Sequence, residues 1–165
     1  MRPVIAAVIA CLAALPLRAE IVENEMMKVF EGKWVQSKDP SQNGILMYLT
    51  QERSEVGEYF SIRCDAGAPS VRLAFPRRVS GKDVGLTIDG TEHRVAWSFS
   101  GKTKDPHFVK GNVFGYALTF EDAAAREDFL TRLKEGRMLT VQGQTLPIEL
   151  SGSAQAITEQ AGYCG

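Results

Sequence analysis

Few side chains in this sequence can do chemistry, and their spacing is informative. There are three cysteines, Cys11, Cys64 and Cys164, and two histidines, His93 and His107. Neither Cys64 nor Cys164 has a C-x-x-C partner or a neighbouring histidine, as a reactive thiol or a metal ligand would require. In an oxidising compartment the pair is most simply a disulfide. Closing so long a loop contributes roughly 4–5 kcal/mol on the chain-entropy account. No acidic residue stands at ligand spacing from either histidine, so no zinc pattern of the H-E-x-x-H kind is present. A G-x-S-x-G elbow and a phosphate-cradling glycine loop are also missing. Asp83 and Asp89 flank a strand and read as strand-end and turn residues. A glycosidase needs two carboxylates across a cleft, which one sequence cannot display. His93 falls on the inner face of a strand as a packed or hydrogen-bonded residue. His107 follows Pro106 in a loop and reads as exposed. No catalytic residue, metal or cofactor is assigned, and the chain reads as non-enzymatic.

Arginine supplies the one constellation that suggests binding. Strand alternation turns Arg63, Arg72 and Arg94 outward on nearby strands, and Arg77 and Arg78 add charge at the end of one of them. Such a stripe suits carboxylate or phosphate on an envelope component or a partner. The bland alternative is a solvated outer face whose scattered acids neutralise it.

The bulk composition bounds the rest. The chain has 165 residues, 44% hydrophobic and 24% charged, with 19 basic against 20 acidic side chains. That excludes a disordered tail, a collagen-like fibre and a strongly basic nucleic-acid binder. At the amino end, Arg2 precedes an uncharged run from Val4 to Leu17, and Ala19 follows. This reads as a secretory signal over residues 1–19 and a single domain over residues 20–165. Fourteen residues are too few for a permanent membrane helix, and no transmembrane span is expected. Val8-Ile9-Ala10-Cys11 offers an alternative, a lipidated Cys11, which leaves the apolar run after Cys11 unexplained. Without Arg2 and Arg18 the balance is 17 basic against 20 acidic, a net charge of −3. No general attraction to DNA or anionic lipid follows. The expected compartment is periplasmic or secreted. The expected partner is another envelope or secreted protein, and the oligomeric state is left open.

Elements that would position these residues follow from periodicity. Glu20 to Glu31 fits a short helix or an edge strand. Lys33–Ser37 and Ile45–Thr50 read as strands around the turn-forming run Lys38–Gly44. Phe60, Ile62 and Cys64 share a face, as do Val71, Leu73 and Phe75, and Val84, Leu86 and Ile88. Asp89-Gly90 is a two-residue hairpin turn that pairs Ile88 with Thr91, Leu86 with His93 and Val84 with Val95. Trp97 continues that face. Lys102–Pro106 reads as a charged loop, and Asn112–Phe120 as a strand with Phe114, Tyr116, Leu118 and Phe120 together. The period then lengthens: Ala125, Phe129 and Leu133, widened by Leu130, make a helical stripe over 122–135, with Gly136 as its stop. Met138–Gln142 and Thr145–Leu150 read as a hairpin across Gly143-Gln144, with Pro147 demoting its strand to an edge. Ser153 would cap a last short helix over 153–160 that returns Cys164 to the sheet. The fold class is mainly β: one antiparallel β-sandwich or flattened barrel of about eight strands, with two helices on one end or face.

The order of motifs resembles small exported proteins of Gram-negative bacteria. It comprises Trp34 early, then Ile62-Arg63-Cys64, Val71-Arg72-Leu73 and Ile88-Asp89-Gly90. Leu146-Pro-Ile-Glu-Leu-Ser-Gly152 follows, with Ala156-Ile157 and Cys164 at the close. The chain resembles the VasI-type accessory proteins of type VI secretion and, more distantly, is similar to the invasion-associated locus B family. It departs from the VasI-type pattern at Asp39-Pro40-Ser41, where a Ser- or Thr-rich acidic turn is expected. The resemblance implies a periplasmic β-sandwich with no catalytic residues to carry over. Two functions stand as expectations: a periplasmic binding or accessory module, and an inhibitor of a hydrolase such as lysozyme. A protruding loop over Gly101–Gly111 would favour the inhibitor, an apolar groove a ligand carrier, and a flat apolar patch a protein partner.

Overall fold

The computed structural model describes residues 20–105 and 108–165. The leader with Cys11 therefore lies outside the described residues, as do Pro106 and His107. The chain opens with β1 (Ile21–Glu23), β2 (Met27–Phe30), β3 (Trp34–Ser37) and β4 (Leu46–Tyr48), and a short helix α1 (Gln51–Val56) follows. Next come β5 (Tyr59–Asp65), β6 (Ala68–Phe75), β7 (Asp83–Ile88), β8 (Thr91–Lys104) and β9 (Asn112–Thr119). The chain closes with α2 (Ala123–Glu135), β10 (Met138–Val141), β11 (Ile148–Glu149) and α3 (Ser153–Ala161). All strands belong to one antiparallel sheet in the order β1-β2-β3-β4-β5-β6-β9-β8-β7-β10-β11. The sheet is open, with β1 and β11 as its edges. It curls until the Trp34 indole on β3 donates to the Glu149 carbonyl on β11 at 3.3 Å.

Period-two alternation builds this sheet. Phe60 and Ile62, Val71, Leu73 and Phe75, and Val84, Leu86 and Ile88 all enter one core with Trp34, Leu46 and Tyr48. Each such side chain contributes about 1.5–3 kcal/mol by leaving water. The hairpin at Asp89-Gly90 has the expected register, Ile88 with Thr91, Leu86 with His93 and Val84 with Val95. Both turn residues have positive φ, 46° and 86°, as a primed turn requires. The Asp89 carboxylate also accepts the Met138 N–H at 3.0 Å, fastening β10 beside the turn. Phe129, Leu130 and Leu133 of α2 close one side of the core, and Ala156 and Ile157 of α3 close another. Cys64 and Cys164 form a disulfide with Cα atoms 5.2 Å apart, tying the chain end to β5. No described helix is long and apolar enough to cross a membrane.

Several expectations are corrected. Of the two readings of Glu20–Glu31 the edge strand holds and the helix does not: the segment is a hairpin, β1 at the sheet edge and β2, because Asn24 turns the chain by accepting the Met26 and Met27 amides at 2.8 and 2.9 Å. Lys102–Lys104 are not loop; a bulge between Phe99 and Gly101 lets β8 continue to Lys104 against β9. Helix α1 is additional, capped by Thr50 at its start and by Gly57, at φ +71°, at its end. Gly136 does end α2, yet its φ is −77°. It is glycine for space, since a Cβ there would lie 2.8 Å from the Ile88 side chain. The final hairpin is shorter than expected, pairing only Leu139 with Ile148 and Met138 with Glu149. Ser153 does not cap α3. It is the first helical residue and donates to the Leu133 carbonyl at 2.7 Å, while Gly152 holds the cap position at φ +78°.

Candidate functional site

The five arginines divide by their surroundings. Arg63 and Arg72 sit on the outer face of β5 and β6 and share Asp65, Nε to carboxylate at 3.1 Å and NH2 to carboxylate at 2.6 Å. Burial works to raise the Asp65 pKa, but hydrogen bonds from Arg72 and Ser70 and both positive charges hold it below the ordinary carboxylate value. Arg94 on β8 is separate. Its Nε donates to Asp83 at 3.0 Å and its NH1 to Glu92 at 3.2 Å, both on its own hairpin. Asp83 is thereby spent on Arg94 and Asp89 on β10, so the two carboxylates do not form a pair. Three of the five guanidiniums are neutralised on the outer face.

Arg77 and Arg78 differ. They lie in the 76–82 connection between β6 and β7, exposed and without an acidic partner among the described residues. The guanidinium carbon of Arg78 lies 4.6 Å from the centroid of the Phe99 ring, a cation–π contact. Lys102, in register with Phe114, adds a cation on the same sheet face as Phe99. An aromatic cluster supports this corner. Trp97 and Tyr116 stack at 4.4 Å, and Phe75 meets each ring edge-on at 5.6 Å. The polar ends of these rings hold the connection in place. The Val79 N–H donates to the Tyr116 hydroxyl at 2.8 Å, the hydroxyl donates to the Val79 carbonyl at 2.7 Å, and the Trp97 indole donates to the Gly81 carbonyl at 3.0 Å. The result is a groove of about 460 Å³ lined by Arg78, Ser80, Gly81, Trp97, Phe99 and Tyr116. Phe99, in register with Tyr116, remains 42% exposed at the groove mouth.

Such a corner can hold an anion against an apolar wall. Sequence reasoning placed Arg77 and Arg78 at a strand end and grouped Tyr116 with Phe114, Leu118 and Phe120 on one face, but it missed Phe99. The signal available was the Trp97-x-Phe99 alternation, which carries Phe99 on along the face of Trp97 and opposite Tyr116.

Other polar groups are structural. Arg53 is 1% exposed and donates NH1 to the Leu146 carbonyl at 2.7 Å and NH2 to the Gln144 side chain. Burial pushes its pKa down, opposed by the negative charge of Glu58. Tyr59 donates to Asp105, and burial followed by that bond pushes its pKa up to about 12. His93 is half-buried opposite Leu86, in a cleft between the β7–β8 hairpin and α2 that also holds Asp128 and Arg132. Among the described residues, no three His, Cys, Asp or Glu side chains converge as metal ligands do. No protein-family model, curated protein or solved structure matches the chain.

Proposed function

We propose that the protein is an exported, non-enzymatic binding module of the cell envelope whose 76–82 connection engages an anionic group on a partner protein. The observation that carries this reading is the pair Arg77 and Arg78, without a carboxylate partner among the described residues and with Arg78 over the Phe99 ring, while Arg63, Arg72 and Arg94 are each held by carboxylates. A free guanidinium on an aromatic wall suits a carboxylate or phosphate flanked by apolar surface. Export is supported by the Arg2 and Val4–Leu17 pattern and by the Cys64–Cys164 bridge, which belongs in an oxidising compartment. The resemblance to VasI-type accessory proteins agrees with such a role.

Titrating the isotope-labelled protein with a polyglutamate peptide tests the site. Amide shifts are expected at Arg77–Gly81 and Phe99, and their loss in R77E/R78E. Shifts centred on Arg63, Arg72 and Arg94 instead would sink the assignment.

A second reading, a hydrolase inhibitor, is favoured by the connection after β8. Val109 is 93% exposed there, while neighbouring Phe108 is buried against Gly57, so an apolar tip stands beside a packed ring. Lysozyme assayed with the protein and with V109E separates this reading. Inhibition that V109E abolishes supports it, and unchanged lysozyme activity removes it.

A further inference from the structure

A second surface, on the far side of β2–β4, carries an inference independent of the arginine corner. Inner residues of these strands, Phe30, Trp34, Leu46 and Tyr48, fill the core. The opposite face is also apolar: Met27, Val29, Val35 and Met47, with Ile45 just before β4. A sheet with one wet face alternates apolar and polar, whereas apolar residues on both faces mark a sheet that something covers. This outer face is shaped into a groove of about 440 Å³, its floor and walls including Met26, Met27, Val35, Pro40, Ile45 and Met47. One wall is the β1–β2 turn and the other is the Pro40–Gln42 turn before β4. Lys38 joins them, with its N–H on the Met26 carbonyl at 2.9 Å and its ammonium on the Asn24 carbonyl at 3.0 Å. The groove is thus built before any partner arrives. Met26 is 74% exposed and Met27 38%. Flexible, polarisable thioethers suit a surface that repacks around an apolar partner.

The rim charges identify that partner. Glu25 and Asp39 line the groove without a cationic partner among the described residues. The one lysine there, Lys38, is bound to Glu23 at 3.0 Å. Two carboxylates therefore line the groove against one ammonium, which Glu23 already holds. A second copy seated through the same surface would bring acid rim against acid rim, which costs free energy. An anionic lipid surface would be repelled in the same way.

We propose that this groove docks a basic amphipathic helix of a partner protein, its apolar stripe on Met26, Met27 and Met47 and its lysines or arginines on Glu25 and Asp39.

The probe is a synthetic Leu/Lys peptide whose leucines repeat at i, i+3, i+4 and i+7, with a scrambled-phase peptide of the same composition and a Leu/Glu peptide as controls. Calorimetry is expected to give at least roughly tenfold tighter binding for the phased Leu/Lys peptide than for either control, with helix induced in it by circular dichroism. M26Q/M27Q and E25K/D39K, all surface changes, are each expected to weaken it by about tenfold. Equal binding of the scrambled peptide, or binding that neither variant changes, overturns the proposal. A dimer in light scattering that M26Q/M27Q dissociates assigns the groove to a second copy and overturns it as well.

Discussion

The Glu58 carboxylate accepts both the backbone N–H and the hydroxyl of Thr145, at 2.7 and 2.9 Å, from a position only 2% exposed. Its second oxygen takes the Leu146 N–H at 3.1 Å. From the same side Arg53 donates to the Leu146 carbonyl, and Gln144 donates to the Tyr59 and Ala74 carbonyls at 3.1 and 3.0 Å. The 142–147 connection has few backbone partners of its own, and these buried side chains replace them. Glu58→Gln puts an amide donor against N–H groups that need an acceptor. It is expected to cost about 2 kcal/mol in urea unfolding. Amide exchange at Thr145 and Leu146 is expected to quicken more than exchange in β5. A stability within error of the parent would show that the carboxylate is dispensable.

The bridge between Cys64 and Cys164 restrains the unfolded chain over a separation of 100 residues. Replacing both cysteines by serine is expected to cost roughly 4–5 kcal/mol. Because α3 and the Ser153 tie to Leu133 remain, the loss should fall on global stability rather than on the secondary structure seen by far-ultraviolet dichroism. Parent and variant melting together would contradict it.

Asp65 gives a pH dependence with a definite sign. Its carboxyl titrates below its ordinary value in the folded state, so the stability it contributes is present above the ordinary carboxylate range, near 4, and is lost as pH falls through the lowered value. In a carbon-detected titration its midpoint is expected below the ordinary aspartate value, and R72A is expected to move it upward. No movement in R72A would mean that Arg72 does not hold the charge.

Gly136 tests packing against backbone freedom. Its φ of −77° suits any residue, but a Cβ there would meet Ile88 at 2.8 Å and Leu150 at 2.9 Å. Gly136→Ala is therefore expected to destabilise by about 1–3 kcal/mol through overpacking. Adding I88L, which has no γ-methyl branch at the crowded Cγ2 position, should recover part of the loss. A double variant less stable than the two separate costs combined would contradict the steric account.

Much of the sheet could be read from periodicity because one face of each long strand is buried. Phe60–Cys64, Val71–Phe75 and Val84–Ile88 alternate without interruption, and Asp89-Gly90 fixes a register by turn geometry alone. Helix α2 announced itself through its apolar stripe, and Asp122 caps it by accepting the Ala125 N–H at 2.8 Å. The pairing of Cys64 with Cys164 needed only the reading of Cys11 as part of a leader. The rest depended on contacts distant in sequence. β1 and β2 carry apolar residues on both sides, so period two does not separate them from a short helix, whereas β3 and β4 are marked as strands by the turn-forming run between them. α1 is six residues long and carries no apolar stripe. The candidate sites are less legible still. Alternation turned Arg63, Arg72 and Arg94 outward, but only the fold shows that Asp65 and Asp83 meet them. No local pattern announces that Phe99 leaves the core beneath Arg78.

The chain has two tryptophans. Trp34 is fully buried where β3 touches Glu149 of the opposite edge, and Trp97 stands at the back of the arginine groove. Intrinsic emission can therefore be split by position. With Trp97 changed to Phe, the remaining indole reports whether the sheet has curled shut. With Trp34 changed to Phe, the other reports whether anything has settled beside Arg78, and neither measurement needs an added dye.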